Sequence, residues 1–386
     1  MQIAERTQRY AAIERYRARP LIVYATATRS GVRAAMAGDA VREIIDQVDA
    51  IKDTDSIDVL IHSMGGDALA AWKIMSVLRE RFRSVSVLVP YAAFSAATVF
   101  ALGADEIVMH PHASLGPIDP QITVKHPDGS LRQFAYEDMG AFLQFLRNDV
   151  SLTEQQHIST VVDKLFTALD PLIVGAARRA SELSAEVGER LLSMHLQDDR
   201  KAKQIAVNLN KSFFAHGDPV SRKRAKALDL QVADPNPELE RLIWEAFRGI
   251  EDYMELRQPF NPLSTFLAQP DAAASLVPTG PLRLPSNAPL AVAQQVWNAA
   301  ANQALQGATA PGIEVPYTVV NAIVESVRVA SEFRSHGRIS AIRQPGGDVR
   351  VAVTDFEARW RPIQVPAPIA DQEGGSGLSA NPADHG

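Results

Sequence analysis

Apolar positions in the first third of the chain fall into two alternating periods. Leu21–Ala27, Ile57–Ile61, Val85–Val89 and Glu106–His110 are short apolar runs with the length and β-branched content of buried strands. Between them, Asp39 to Lys52 sets Val41, Ile44, Ile45, Val48 and Ile51 at three-four spacing. Ala68 to Arg83 likewise puts Ala71, Ile74, Met75 and Leu78 on one face, with charged residues opposite. A further helix is predicted over 95–103. Strands alternating with helices predict βαβ units, right-handed crossovers and a mostly parallel sheet.

The pattern changes after His110. Ser114 to Ile122 is turn-rich, and Lys125 to Gln133 has the Asp128-Gly129 pair of a tight hairpin. Helical periodicity then dominates 136–212. Ser151-Leu152-Thr153-Glu154 has the form of a capping box, Asp170-Pro171 opens a long helix, and Ser221 to Leu228 predicts a short one. Prolines crowd the span from Pro259 to Pro316, which predicts a linker with one helix at about 288–306. Beyond it, a helix (Val319 to Phe333) and two strands (Gly337 to Arg343, Asp348 to Thr354) are predicted around a Pro345-Gly346-Gly347 turn. The tail after Pro366 has the composition of a disordered segment. The expected organisation is an N-terminal helix or solvated arm (1–20), a main domain (21–250), a Pro/Ala-rich linker (251–316), a small α+β region (317–365) and a tail (366–386).

Composition narrows the chemistry. The 386 residues include no cysteine, which excludes disulfides, thiolate metal sites and a cysteine nucleophile. A net charge of −6 and a pI near 5.9 give no footprint of nucleic-acid binding. No apolar run reaches the roughly 18 residues of a spanning helix, and the start of the chain is polar and charged, so a soluble cytoplasmic protein is expected.

Two turns stand out at strand ends. Ser63-Met64-Gly65-Gly66-Asp67 follows the second strand, and its glycines allow a tight turn that leaves amide N–H groups bare at a helix start. Tyr91-Ala92-Ala93-Phe94-Ser95 follows the third strand and places a hydroxyl at the next helix N-terminus. Parallel strands end on one sheet edge, where α/β sites form. Ser95 is also a plain N-cap candidate, and Asp67 reads as a cap rather than a catalytic acid.

In this order the motifs resemble the ClpP/crotonase superfamily, its signal peptide peptidase A branch and, within it, the serine dehydrogenase proteinase family. The resemblance rests on Ser63-Met64-Gly65-Gly66, Ala92-Ala93-Phe94-Ser95-Ala96, Ala101 to Met109, Ser114 to Gln121, and Gly217-Asp218-Pro219 with Ala225 to Leu230, covering about residues 20–235. It implies an α/β fold: a ClpP/crotonase-like spiral of βαβ units with a mostly parallel sheet, a helical extension and the small C-terminal α+β region. It also implies an ATP-independent serine endopeptidase that works through an acyl-enzyme. Ser95 is then the nucleophile, and the oxyanion donors are Gly66 and Ala96, with Gly65 beside them.

In that branch the base is a lysine on a following helix, which points to Lys164, with Lys125 second. His110, His112 and His126 keep a Ser-His-Asp arrangement open. Ala97 stands where many relatives have glycine. The resemblance further implies a polypeptide substrate and a homo-oligomer; no cofactor or metal is expected, and charge and hydropathy lead us to expect no nucleic acid and no integral membrane segment, while residues 251–386 are a candidate partner-binding region. The alternatives are a non-catalytic oligomeric scaffold of the same fold and a crotonase-type acyl-CoA enzyme.

Overall fold

The structure, a computed structural model, describes residues 2–125, 131–211, 218–276, 289–296, 298–299, 312–343 and 348–366. The chain opens with α1 (Ile3–Arg17), β1 (Leu21–Thr26), α2 (Ala40–Asp49), β2 (Ser56–His62), α3 (Ala68–Arg81), β3 (Ser84–Val89), β4 (Ala92–Ala93), α4 (Ala96–Leu102), β5 (Glu106–Met109) and β6 (Ser114–Leu115). β1, β2, β3 and β5 pair in parallel, as the alternating pattern predicts. Their side chains alternate between two cores. Val59, Val87 and Ile107 pack with α2, α3 and α4, while Leu60, Leu88 and Val108 pack on the opposite face. Burial on both faces is why these strands read as unbroken apolar runs.

Next come a hairpin of β7 (Ile122–Lys125) and β8 (Leu131–Phe134), α5 (Tyr136–Gln144) continuing into a π-helical turn, α6 (Gln155–Ala168), α7 (Pro171–Leu192) and α8 (Asp199–Lys211). α7 and α8 close the first core through Val187, Leu191, Ala202 and Leu209. β9 (Val220–Ser221), α9 (Arg222–Ala227) and β10 (Val232–Ala233) follow, and β10 adds to the parallel edge beside β5. Asp170 caps α7 by accepting the Leu172 N–H at 2.8 Å, as its Asp-Pro start predicts. The capping box at Ser151 is a correction. Residues 145–149 form the π-helical turn and Ser151 has φ of 58°, so the helix begins only at Gln155, with Glu154 at the N-cap.

The C-terminal third departs furthest from expectation. α10 (Pro237–Tyr253) covers the second core with Leu239, Ile243, Ala246 and Ile250. Part of the expected linker is folded: α11 (Pro262–Leu267) and α12 (Pro270–Ser275) bury Phe266 and Ala272 against the sheet. The expected helix at about 288–306 is helical at 290–296 and 298–299, and its remaining residues lie outside the described ones. The predicted helix Val319 to Phe333 is instead strand. β11 (Glu314–Glu325), β12 (Ala330–Arg343) and β13 (Val349–Ile363) extend the main sheet to the order β10-β5-β3-β2-β1-β11-β12-β13, with the last three antiparallel. A bulge between Val320 and Ala322 shifts the phase of alternation, which hides its period of two. The hairpin turns at 126–130 and 344–347 and the tail after 366 lie outside the described residues.

The N-terminal helix is not a solvated arm. Tyr10 and Ile13 are fully buried against α10, and Arg6 is buried in an ion pair with Glu325 of β11. The Tyr10 hydroxyl donates to the same carboxylate at 2.9 Å.

Candidate active site

The β2–α3 turn is built around Ser63. Its hydroxyl accepts the Gly65 N–H at 3.0 Å and pairs with the Thr26 hydroxyl at 2.7 Å. Gly65 and Gly66 have φ of +105° and +151°, which L side chains rarely adopt. Met36 then runs alongside: its N–H donates to Gly65 O at 2.8 Å, and its carbonyl accepts the Asp67 N–H at 2.9 Å. A Cβ on Gly66 would lie 2.2 Å from that carbonyl, so only glycine fits. Asp67 is the cap expected of it, accepting the Leu69 N–H at 2.9 Å.

The second turn is registered on the first. Ser63 N–H donates to Ala92 O and Phe94 N–H donates to Ser63 O, both at 3.0 Å. β4 lies parallel to β6, which pairs with β9, so this small sheet leads straight into the Ser95 turn. Thr98 clamps it from below: its hydroxyl donates to Ala93 O at 2.7 Å and accepts the Gly116 N–H at 3.0 Å. Phe94 lies against Gly116, where a Cβ would come 2.3 Å from the ring.

Ser95 sits at the top of this turn with φ 49° and ψ −120°, a conformation costly for any residue but glycine. It occupies the N-cap position of α4, yet its side chain makes no capping bond. Half-buried, its hydroxyl has no hydrogen-bond partner among the described residues. The N–H groups of Gly66 and Ala96 also have no acceptor there. The Gly65 N–H, by contrast, is spent on Ser63, which assigns Gly65 to the turn rather than to the oxyanion pair. Ala97 is fully buried in the first core.

The base candidates are scattered. Lys164 lies exposed on α6, a helix without extensive packing against any other described element, and no described hydrogen bond or ion pair joins it to Ser95. Lys125 ends β7, and its side chain lies outside the described residues, as does all of His126. His110 and His112 sit beyond β5, their rings 4.7 Å apart and both against Trp244 of α10, on the opposite face of the sheet from α4. Sequence reading missed three supports of the site: Thr26, Met36 and Thr98. Only Thr98 left a trace, as the one polar residue in an otherwise apolar helix.

Fold and site together define a ClpP/crotonase-like α/β protein with a serine on a strained strand-to-helix turn. Residues 33–141 match the family model of the ClpP-like SDH-type serine proteinases, which bears out the resemblance of the motifs. The matched span holds Gly65, Gly66, Ser95 and Ala96 and ends before Lys164. Two uncharacterized proteins of Methanocaldococcus jannaschii are each 28% identical, over 203 and 206 residues, 53% of this chain in both cases. The matches cover 60% and 63% of those relatives' own length. Among solved structures, a membrane-bound stomatin-specific protease is 15% identical with a TM-score of 0.35, over 58% of this chain and 84% of that one. ClpP1 from Listeria monocytogenes is 13% identical with a TM-score of 0.29, over 57% and 94%. No helix among the described residues is long and apolar enough to cross a membrane.

Proposed function

We propose that the chain is an ATP-independent serine endopeptidase with Ser95 as nucleophile. The observation that carries this reading is the unpartnered Ser95 hydroxyl, on a positive-φ turn, beside the unpaired N–H groups of Gly66 and Ala96. Strain of this kind persists where the surroundings over-determine it, as at catalytic turns. In the proposed reaction Ser95 Oγ attacks a peptide carbonyl, and a base takes its proton. The carbonyl oxygen becomes an oxyanion held by the two amides. The base returns the proton to the leaving amine, and water resolves the acyl-enzyme by the reverse route.

Lys164 is our proposed base. A lysine becomes one when desolvation lowers its affinity for the proton. Lys164 stands in water on the single chain, so its role requires α6 to close over the Ser95 edge. Phe145 and Val150, each about half exposed at the π-helical turn that precedes this helix in sequence, support a homo-oligomer as the setting for that closure. The experiment is labelling by a fluorophosphonate probe. Wild-type protein labels and Ser95→Ala does not; peptidase activity retained in Ser95→Ala overturns the reading.

A further inference from the structure

The turn after β5 carries two histidines that the proposed chemistry leaves unused. His110 is 5% exposed, and its Nδ1 accepts the backbone N–H of His112 at 3.1 Å. A ring nitrogen accepts only through a free lone pair, so the proton of the neutral ring is on Nε2. The ring stacks on Trp244, with centroids 5.0 Å apart and planes at 14°, and His112 meets the same indole edge-on at 5.1 Å. The backbone continues the linkage. His110 N–H donates to Val89 O at 3.0 Å, Ala113 N–H donates to His110 O at 2.8 Å and Ser114 N–H donates to Tyr91 O at 2.9 Å. Ser114 opens β6, which pairs with Ala92 and Ala93, the two residues that lead into Phe94 and Ser95.

We propose that His110 is a pH-sensitive positioning residue: its neutral ring latches the 110–113 turn that fixes β6 and β4 beneath Ser95, and protonation at Nδ1 opens the latch. The added proton takes the lone pair that holds the His112 N–H, and one bond of the turn is lost. The charged groups around the ring set the balance. His112 on the same turn and Arg222 of α9 oppose the positive charge, and Glu240 of α10 favours it. Arg222 is itself paired with Asp234 at 3.0 Å and Glu240 at 3.5 Å. Burial, the largest cause, also disfavours the cation and lowers the His110 pKa below its usual 6.5. The latch is therefore closed at neutral pH and opens on acidification below 6.5. Only its effect on turnover rests on the peptidase reading.

The test uses the full chain and reads the latch and the chemistry separately. Histidine ring titration and His112 amide exchange, both by NMR, report the latch without substrate. In wild type the His112 protection factor falls by up to about tenfold per pH unit as pH drops from 6.5 towards the His110 midpoint and levels off below it, because opening takes up one proton only in that window. His110→Asn supplies an amide oxygen as acceptor that does not titrate; its His112 protection stays flat over the same range. His110→Phe keeps the stacking and loses the acceptor, so its His112 amide is unprotected at every pH. The acid limb of the fluorophosphonate labelling rate moves to lower pH in His110→Asn. His112 protection that ignores pH in wild type, or that falls equally in His110→Asn, overturns the proposal. Flat labelling in all variants with intact titration of the latch overturns the peptidase reading instead.

Discussion

Gly65 and Ser95 meet so closely that a Cβ on Gly65 would lie 2.7 Å from the Cβ of Ser95. The same atom would stand 2.7 Å from Phe94 O and 3.0 Å from Ala96 N. The glycine turn and the serine turn are thus one packed unit. The glycine is required at the contact by its φ and by the space, and its neighbour Gly66 carries one of the unpaired amides.

Gly65→Ala is expected to lower stability by about 1–3 kcal/mol, since alanine is strained at positive φ and the methyl displaces the Ser95 turn. Fluorophosphonate labelling falls with it. Gly66→Ala, with its Cβ 2.2 Å from Met36 O, is the more damaging of the two. Thermal melts and labelling rates on both variants check this. A Gly65→Ala protein that melts and labels like wild type contradicts the packing described.

Ser95 separates stability from activity. Its φ of 49° with ψ of −120° is strained for serine and allowed for glycine. Ser95→Gly is expected to abolish labelling while raising stability by about 1 kcal/mol through relief of that strain. Ser95→Ala abolishes labelling without the gain. Urea unfolding of the two variants side by side shows the difference; equal stabilities mean that the turn stores no strain.

The parallel half of the sheet and both turns were legible in the sequence because each rests on local chemistry. Ile57–Ile61 is apolar throughout because both faces are buried, and Gly65-Gly66 marks positive φ. The C-terminal strands were not legible. The phase of β11 breaks at the Val320–Ala322 bulge, and its pairing with β1 joins residues about three hundred positions apart in sequence. The Arg6–Glu325 pair is as distant, so the arginines of the first helix looked solvated. Ser95 and Gly66 became site candidates through their turns together with the family resemblance; a base could not be singled out in the same way, because a base is defined by its surroundings in space.

Lys164 is exposed and has no described ion pair, so its removal leaves the fold of the single chain undisturbed. Lys164→Ala and Lys164→Arg are both expected to cut peptidase activity at least about a hundredfold, within the range of general-base contributions, with melting temperature unchanged. Arginine fails because its guanidinium does not give up a proton in proteins. Activity within threefold of wild type in Lys164→Ala removes it from the mechanism and leaves Ser95 in place.

Arg6 and Glu325 form a buried pair 319 residues apart in sequence, with the Arg6 guanidinium also lying 3.7 Å from the Tyr253 ring centroid. Arg6→Met strands a buried carboxylate and is expected to cost about 3–5 kcal/mol. Adding Glu325→Gln removes the stranded charge and recovers part of that loss. Chemical denaturation of the two variants measures both; a double variant less stable than Arg6→Met denies the pair its coupling.

His62 gives the fold an acid-sensitive stability. It is buried at the end of β2 against Phe247, with Nε2 3.2 Å from the Thr28 hydroxyl. Burial, opposed in part by the Ala92 carbonyl, pushes its pKa down from 6.5 to about 4. The unfolded chain therefore binds this proton first. The stabilisation is complete above pH 6.5 and is lost as pH falls towards about 4. At about 1.4 kcal/mol per pH unit, the site contributes on the order of 3 kcal/mol over that window. His110 and His195 are depressed in the same direction, mainly by burial, so they add to the slope. Unfolding free energies measured across this range should therefore fall more steeply in wild type than in His62→Gln, whose amide keeps a polar group facing Thr28 and does not titrate. The two slopes should differ by close to one proton. Equal slopes mean that His62 is reached by solvent in the folded state, and that the aromatic layer of Tyr91, Trp244 and Phe247 does not seal this end of the sheet.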